Sequence, residues 1–147
     1  MNQAIQTLKN KFPAISQEAS GDCLIAPARD IKEICLFLKK GLGFAHLMCL
    51  SSIDYKDRFA LAYNVYSYET KEIIFLKVFL DRNNPAIESV SEIWSAANWH
   101  EREAYDMMGI NFLGHPDLQR ILLPREWVGH PLRKDYTKDG LESMPQI

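Results

Sequence analysis

A chain of 147 residues with a formal net charge of −2 is single-domain in size and long enough to bury about 70% of its unfolded surface. Its 47% hydrophobic and 11% aromatic content is that of an ordinary globular protein and excludes a disordered one. No basic excess or stripe suggests nucleic-acid binding, no apolar run reaches the about 18 residues of a membrane span, and no secretory leader is read at the N-terminus.

Residues Gln3 to Phe12 have the spacing of a short helix with Ile5, Leu8 and Phe12 facing inward, ended by Pro13. Asp22 to Ala26 reads as a short strand closed by Pro27. Asp30 and Glu33 open a second helix with the stripe Ile31, Ile34, Cys35 and Leu38, which Gly41 and Gly43 end. The glycines of Gly41-Leu42-Gly43-Phe44 close a helix where a dinucleotide fingerprint would open one, and the third glycine is missing. Cys23, Cys35 and Cys49 are odd in number and far apart, and read as reduced, buried thiols in a cytosolic protein, not as a disulfide frame or cluster site.

Three strand-like runs follow: Ala45 to Ile53, Phe59 to Tyr68 and Ile73 to Leu80. The middle one alternates, with Phe59, Leu61, Tyr63 and Val65 on one side. The turns Asp54 to Asp57 and Glu69 to Glu72 are too short for crossovers, so the neighbours are expected to be antiparallel. The expected fold is a two-layer α+β domain over residues 1–110: a mainly antiparallel sheet with flanking helices.

Ser89 and Glu92 match a capping box and predict a helix from there to Met108, stopped by Gly109 in the left-handed position. Val90, Trp94, Ala97, Tyr105 and Met108 share its apolar face, with Ile93 and Ala104 at the flank. Glu101 falls in the middle of that face, while Arg102, Glu103 and Asp106 point away, Arg102 and Asp106 at pairing distance on the helix surface. A buried carboxylate needs compensation. The expected partner is Arg120, Arg133, Lys134 or Arg125, which would pin the downstream segment back across the helix; the alternative is a solvated Glu101.

After Gly109 no regular period survives. Pro116, Pro124, Pro131 and Pro145 interrupt the chain, and His115, Leu123 and His130, each before a proline, are pushed toward extended geometry. Ile121, Leu122, Leu123, Trp127 and Val128 are too apolar for a solvated tail. Residues 111–147 therefore read as an extended C-terminal arm that docks on another polypeptide.

Catalytic patterns fail. His100-Glu101 begins like a zinc-protease helix, but Ala104 stands where the second histidine is required. His115 and His130 lack a third ligand nearby, and Glu101 and Glu103, two apart on a helix, cannot flank one bond. No nucleophile elbow or phosphate loop is present. The residues read as a binding module with no catalytic, cofactor or metal site.

The string E-R-E-A-Y-D-M-M-G-I-N-F-L-G-H-P-D-L-Q-R-I-L, Glu101 to Leu122, closely resembles the signature of the respiratory complex I 30-kDa subunit family, known in bacteria as the C subunit of NADH-quinone oxidoreductase. Gly129 to Tyr136 resembles the family's second signature, and weaker likeness extends through Ser52 to Tyr55 and Ile93 to Trp99. Met108 departs from the aromatic often found there. The resemblance implies a cofactor-free structural and assembly subunit on the cytoplasmic side of the membrane. Its partners would be the quinone-site (49-kDa-type) subunit and the cluster-bearing subunits of the peripheral arm, with FMN and iron–sulfur clusters held by those neighbours. It also implies that the arm wraps the partner through Arg120, Arg133, Lys134, His115 and His130, with Trp127 and Leu122 as apolar anchors, and that Glu101, Arg102, Glu103 and Asp106 belong to the signature or interface. Two other readings stand beside it. One is the equivalent subunit of a membrane-bound hydrogenase or a ferredoxin- or F420H2-driven dehydrogenase. The other is a free-standing small enzyme using the Glu101, Glu103 and Asp106 acids.

Overall fold

The computed structural model describes residues 3–136; the expected arm residues 137–147, Pro145 among them, lie outside the described residues. Helix α1 (Gln3–Lys11) carries Lys9 and Lys11 in its last turn, where cations suit the helix dipole. Two short strands follow, β1 (Ser16–Gln17) and β2 (Cys23–Ile25). Helix α2 (Ile31–Lys40) buries the four residues its spacing predicted: Ile31, Ile34, Cys35 and Leu38. Of the three thiols expected inside, only Cys35 is buried; Cys23 and Cys49 lie on strands near the sheet's edges and are partly exposed. The meander is β3 (His46–Asp54), β4 (Arg58–Ser67) and β5 (Glu72–Asp81).

Antiparallel pairing sets Tyr63 opposite Leu50 on one side and Leu76 on the other, so all three point to the same face. With Phe59, Leu61, Val65, Ile74 and Val78 they form the buried floor of the core. The opposite face is more open, and Ile73 and Phe75 there are exposed. A bulge between Leu47 and Cys49 breaks the register of β3. The fold is thus α+β with a mostly antiparallel sheet, as expected; the sheet has five strands.

Three features were not anticipated. The sheet order is β1-β2-β5-β4-β3: the strand read over Asp22 to Ala26 is β2, but it runs parallel to β5 and is edged by the two-residue β1. A separate parallel pair joins β6 (Ala86–Glu88) to β7 (Asn111–Leu113), matching Ile87 with Phe112. Residues 111–113 are therefore built into the folded body, although the sequence pattern ended it at residue 110.

Helix α3 (Ala97–Met108) also begins eight residues after Ser89 and not at the Ser89–Glu92 box. Residues 91–96 are turns, pinned to the body by the Trp94 indole N–H on the Phe44 carbonyl (3.1 Å) and by Lys39 Nζ on the Ile93 carbonyl (2.5 Å). The Ser89 hydroxyl is engaged elsewhere, as described below. Helix α3 packs against β3.

Candidate functional site

Much of the chain after β7 is organised around the end of α3. A helix leaves its last carbonyls without intrahelical donors. Gly109, at φ 76° and ψ 24°, turns the chain, and its N–H closes on the Tyr105 carbonyl at 2.8 Å. The next three carbonyls are capped by the arm. His130 Nδ1 donates to Asp106 O (3.0 Å), joined by Arg120 Nη1 (3.2 Å). The Leu132 N–H donates to Met107 O (3.1 Å), and Arg133 Nε to Met108 O (2.6 Å). Two guanidinium groups at a helix C-terminus also meet the negative end of its dipole. Gly109 is required on two grounds: its positive φ, and the His130 and Arg133 atoms that would lie within 2.6–2.7 Å of an added Cβ.

The Asp106 side chain forms the second half of the clasp. It does not point away and does not pair with Arg102; it is fully buried. Oδ1 accepts Arg120 Nη1 at 2.7 Å, and Oδ2 accepts the N–H groups of Ile121, Leu122 and Leu123 at 3.1, 2.8 and 3.0 Å. Burial alone would raise its pKa, but Arg120 and the three backbone donors outweigh it and hold the carboxyl below its usual value. Arg120 then bridges onward, donating Nη2 to the carbonyls of Trp127 and Gly129, each at 2.8 Å. Arg102 reaches the carbonyls of Gln119 (3.1 Å) and Arg120 (3.0 Å) and lies over the Trp99 ring. Irregular backbone is thereby satisfied by side chains in place of secondary structure.

A second buried carboxylate, Asp54 at the end of β3, anchors the rest of the arm. Arg82 grips both its oxygens, and it accepts the N–H groups of Lys56 (2.7 Å) and Lys134 (2.8 Å). The Arg82 hydrogen bonds hold the Asp54 carboxyl well below the usual carboxylate range against the opposing effect of burial. Arg82 also pairs with Asp135 at 3.1 Å, and the guanidinium groups of Arg82 and Arg133 lie 4.7 and 5.0 Å from the Phe59 ring centroid. This role of Asp54 was missed, because the residue reads first as part of a turn.

Glu101 does not do what its position on the apolar face suggested. It is buried, but none of Arg120, Arg125, Arg133 and Lys134 pairs with it. Its oxygens accept the Ser89 hydroxyl (2.6 Å) and the Val90 N–H (2.7 Å), so it fastens the turn before α3 and not the arm. His115 is the arm's approach to it: Nε2 lies 3.9 Å from Glu101 and donates to the Asn98 carbonyl at 3.1 Å. The pinning carboxylate is Asp106, five residues on.

Among the expected site residues, the structure brings together Asp106, Arg120, His130 and Arg133 at the helix end and places His115 beside Glu101. Lys134 joins through its backbone N–H at Asp54, and Trp127 through its carbonyl on Arg120. Glu103 stands apart and exposed. Glu101, Glu103 and Asp106 face three directions and do not converge on one point, which removes the geometry for an acid/base pair.

Beside exposed charges such as Arg125, Glu126 and Lys134, the outward side carries several large apolar groups. Trp99, Leu113, Leu122, Val128 and Leu132 are exposed at 63%, 51%, 64%, 83% and 56%, on a segment whose backbone is bonded to its own chain. Soluble surfaces seldom carry so many large apolar groups on one stretch without a partner.

The model of the family described as respiratory-chain NADH dehydrogenase, 30 Kd subunit, matches residues 24–142. The chain is similar to the C subunit of NADH-quinone oxidoreductase from Geobacter sulfurreducens, 41% identical over 98% of this chain and 94% of that protein. It is also similar to the C subunit of F(420)H(2) dehydrogenase from Methanosarcina mazei, 39% identical over 90% of this chain and 89% of that one. Among solved structures, a trypsin-resistant fragment (1-134) of Nqo5 superposes with a TM-score of 0.65 at 28% identity, covering 79% of this chain and all of the fragment. With the family model spanning most of its length, including both segments that clasp the end of α3, this chain belongs to the 30 Kd subunit family of respiratory-chain NADH dehydrogenase.

Proposed function

We propose that this protein is the cofactor-free, positioning subunit of the peripheral arm of a proton-translocating NADH:quinone oxidoreductase, held at the cytoplasmic face of the membrane against the quinone-site subunit and near the cluster-bearing subunits. FMN and iron–sulfur clusters reside in those neighbours. This chain keeps them in register while electrons pass from NADH to quinone. The observation that carries the reading is the division of labour after α3: backbone polar groups of the arm are engaged by Asp54, Asp106, Arg102 and Arg120, while Leu122, Val128 and Leu132 are turned outward. A strap tied to its own fold with apolar side chains outside is a preorganised docking surface, because little ordering entropy is left for the partner to overcome. No helix among the described residues is long and apolar enough to cross a membrane, so attachment to the membrane would run through partners.

Purification of the tagged chain from native membranes under mild detergent tests this. The expected result is one assembly containing a flavoprotein, iron–sulfur subunits and a quinone-site subunit; recovery of a free monomer from membranes with active complex would overturn it. The likeness to a subunit of F(420)H(2) dehydrogenase supports a second reading in which the same kind of subunit serves a different donor. The donor-oxidising subunit that co-purifies distinguishes the two.

A further inference from the structure

Glu101 is a fully buried carboxyl that the docking surface leaves unused. Among the described residues no lysine or arginine nitrogen lies within 4 Å of it, and His115 is its one ionisable neighbour at ion-pair distance. The ring is engaged elsewhere: its Nδ1 accepts the Asp117 N–H at 3.0 Å, and Nε2 is directed to the Asn98 carbonyl at 3.1 Å. The other titratable groups that feel Glu101 are Cys35 from α2 and Tyr63 from β4. Burial pushes both up, so neither supplies charge, and the buried Tyr63 hydroxyl has no hydrogen-bond partner among the described residues.

The bonds that Glu101 does make tolerate both of its protonation states. Oε1 accepts the Val90 N–H in either. Oε2 lies 2.6 Å from Ser89 Oγ, which lies 2.9 Å from Ser91 Oγ, and Ser91 is only half buried. When Glu101 is ionised, Ser89 donates to it. When it is neutral, Glu101 donates to Ser89 and Ser89 donates to Ser91. No buried polar atom of the three is stranded by the change.

We propose that Glu101 is a reversible proton-binding site inside the fold, filled and emptied through the hydroxyls of Ser89 and Ser91. On release, the Oε2 proton passes to Ser89 Oγ as the Ser89 proton passes to Ser91 Oγ and a Ser91 proton leaves to water, so each hydroxyl ends with one proton. Burial, only partly offset by the Ser89 and Val90 bonds, pushes the carboxyl up to about 7, which sets the exchange in the neutral range. The site is independent of whether the arm docks.

Infrared difference spectra of the full chain, taken from about pH 9 to about pH 5, read the carboxyl directly. A protonated-carboxyl C=O band should grow in with a midpoint of about 7 and be missing in Glu101→Gln. Ser89→Ala, which removes a donor to the charged form, should move the midpoint upward. Ser91→Ala, which removes the acceptor Ser89 uses when Glu101 is neutral, should move the midpoint downward and slow reprotonation after a pH jump. A band that titrates in the ordinary carboxylate range, or survives in Glu101→Gln, overturns the site. So does an unmoved midpoint in Ser89→Ala, which serves even if Glu101→Gln fails to fold. Ser91→Ala reprotonating at the wild-type rate overturns the route.

Discussion

Replacing Asp106 by Asn tests whether the arm is held by its own chain. The substitution keeps the side chain's shape but removes its charge and turns one acceptor into a donor. Facing that donor would be either Arg120 Nη1 or the N–H groups of residues 121–123, now bonded at 2.7–3.1 Å. Arg120, whose side chain is only 10% exposed, would lose its counter-charge. Breaking one side of a buried ion pair costs about 3–5 kcal/mol, a large share of the roughly 5–15 kcal/mol that keeps a domain folded. Urea unfolding of the full chain should show that loss, and limited trypsin digestion should cut at Arg125 and Arg133 while the sheet stays intact. The pH dependence has a definite sign. Asp106 is held below its ordinary value, so its contribution is present above the unfolded carboxyl value of 3.8 and is lost as pH falls through the folded value. Asp106→Asn should therefore flatten the acid limb of the stability curve. Variant and wild type differing by less than about 1 kcal/mol, with the arm equally resistant to trypsin, would refute the clasp.

Gly109→Ala should cost at least about 1–2 kcal/mol, the penalty of the left-handed backbone alone, and more where His130 and Arg133 must move; thermal unfolding reads it. Asp54→Asn should free residues 134–135 without disturbing Asp106, seen as faster amide exchange at Lys134, whose N–H it accepts. Glu101 works in the opposite sense to the two aspartates. Its folded value is raised from 4.5 to about 7, so the folded state binds the extra proton and stability falls by about 3 kcal/mol as pH rises through that window. Glu101→Gln should abolish that fall in urea titrations between those pH values.

Local periodicity made α2 and the β3–β5 meander legible. Four inward residues of α2 and the alternation around Tyr63 need only neighbours in sequence to be recognised. The start of α3 was misplaced because Ser89 and Glu92 satisfy a capping pattern, whereas the Ser89 hydroxyl is committed to Glu101, 12 residues away. The clasp was read on the wrong carboxylate for a related reason. Arg102 and Asp106 have the spacing of a surface pair, and only the folded chain shows that Asp106 takes Arg120, 14 residues on. One signal was available. An aspartate in the last turn of a helix opposes the dipole, and its presence just before Gly109 asks for cations from beyond the helix. The β2–β5 and β6–β7 pairings involve three-residue strands joined across long separations, and no local pattern encodes them.

The docking role is tested most directly by charging the outward face of the arm without touching its clasp. Leu122→Asp combined with Val128→Asp alters two exposed side chains while leaving every Asp106 and Asp54 bond in place. The isolated variant should match wild type in urea, within about 0.5 kcal/mol for surface positions. In membranes it should fail to co-assemble with the quinone-site subunit, and NADH-driven quinone reduction should fall by at least about tenfold, the effect of losing about 1.4 kcal/mol at an interface. Full assembly and undiminished quinone reduction with both aspartates in place would contradict the proposed role of the arm.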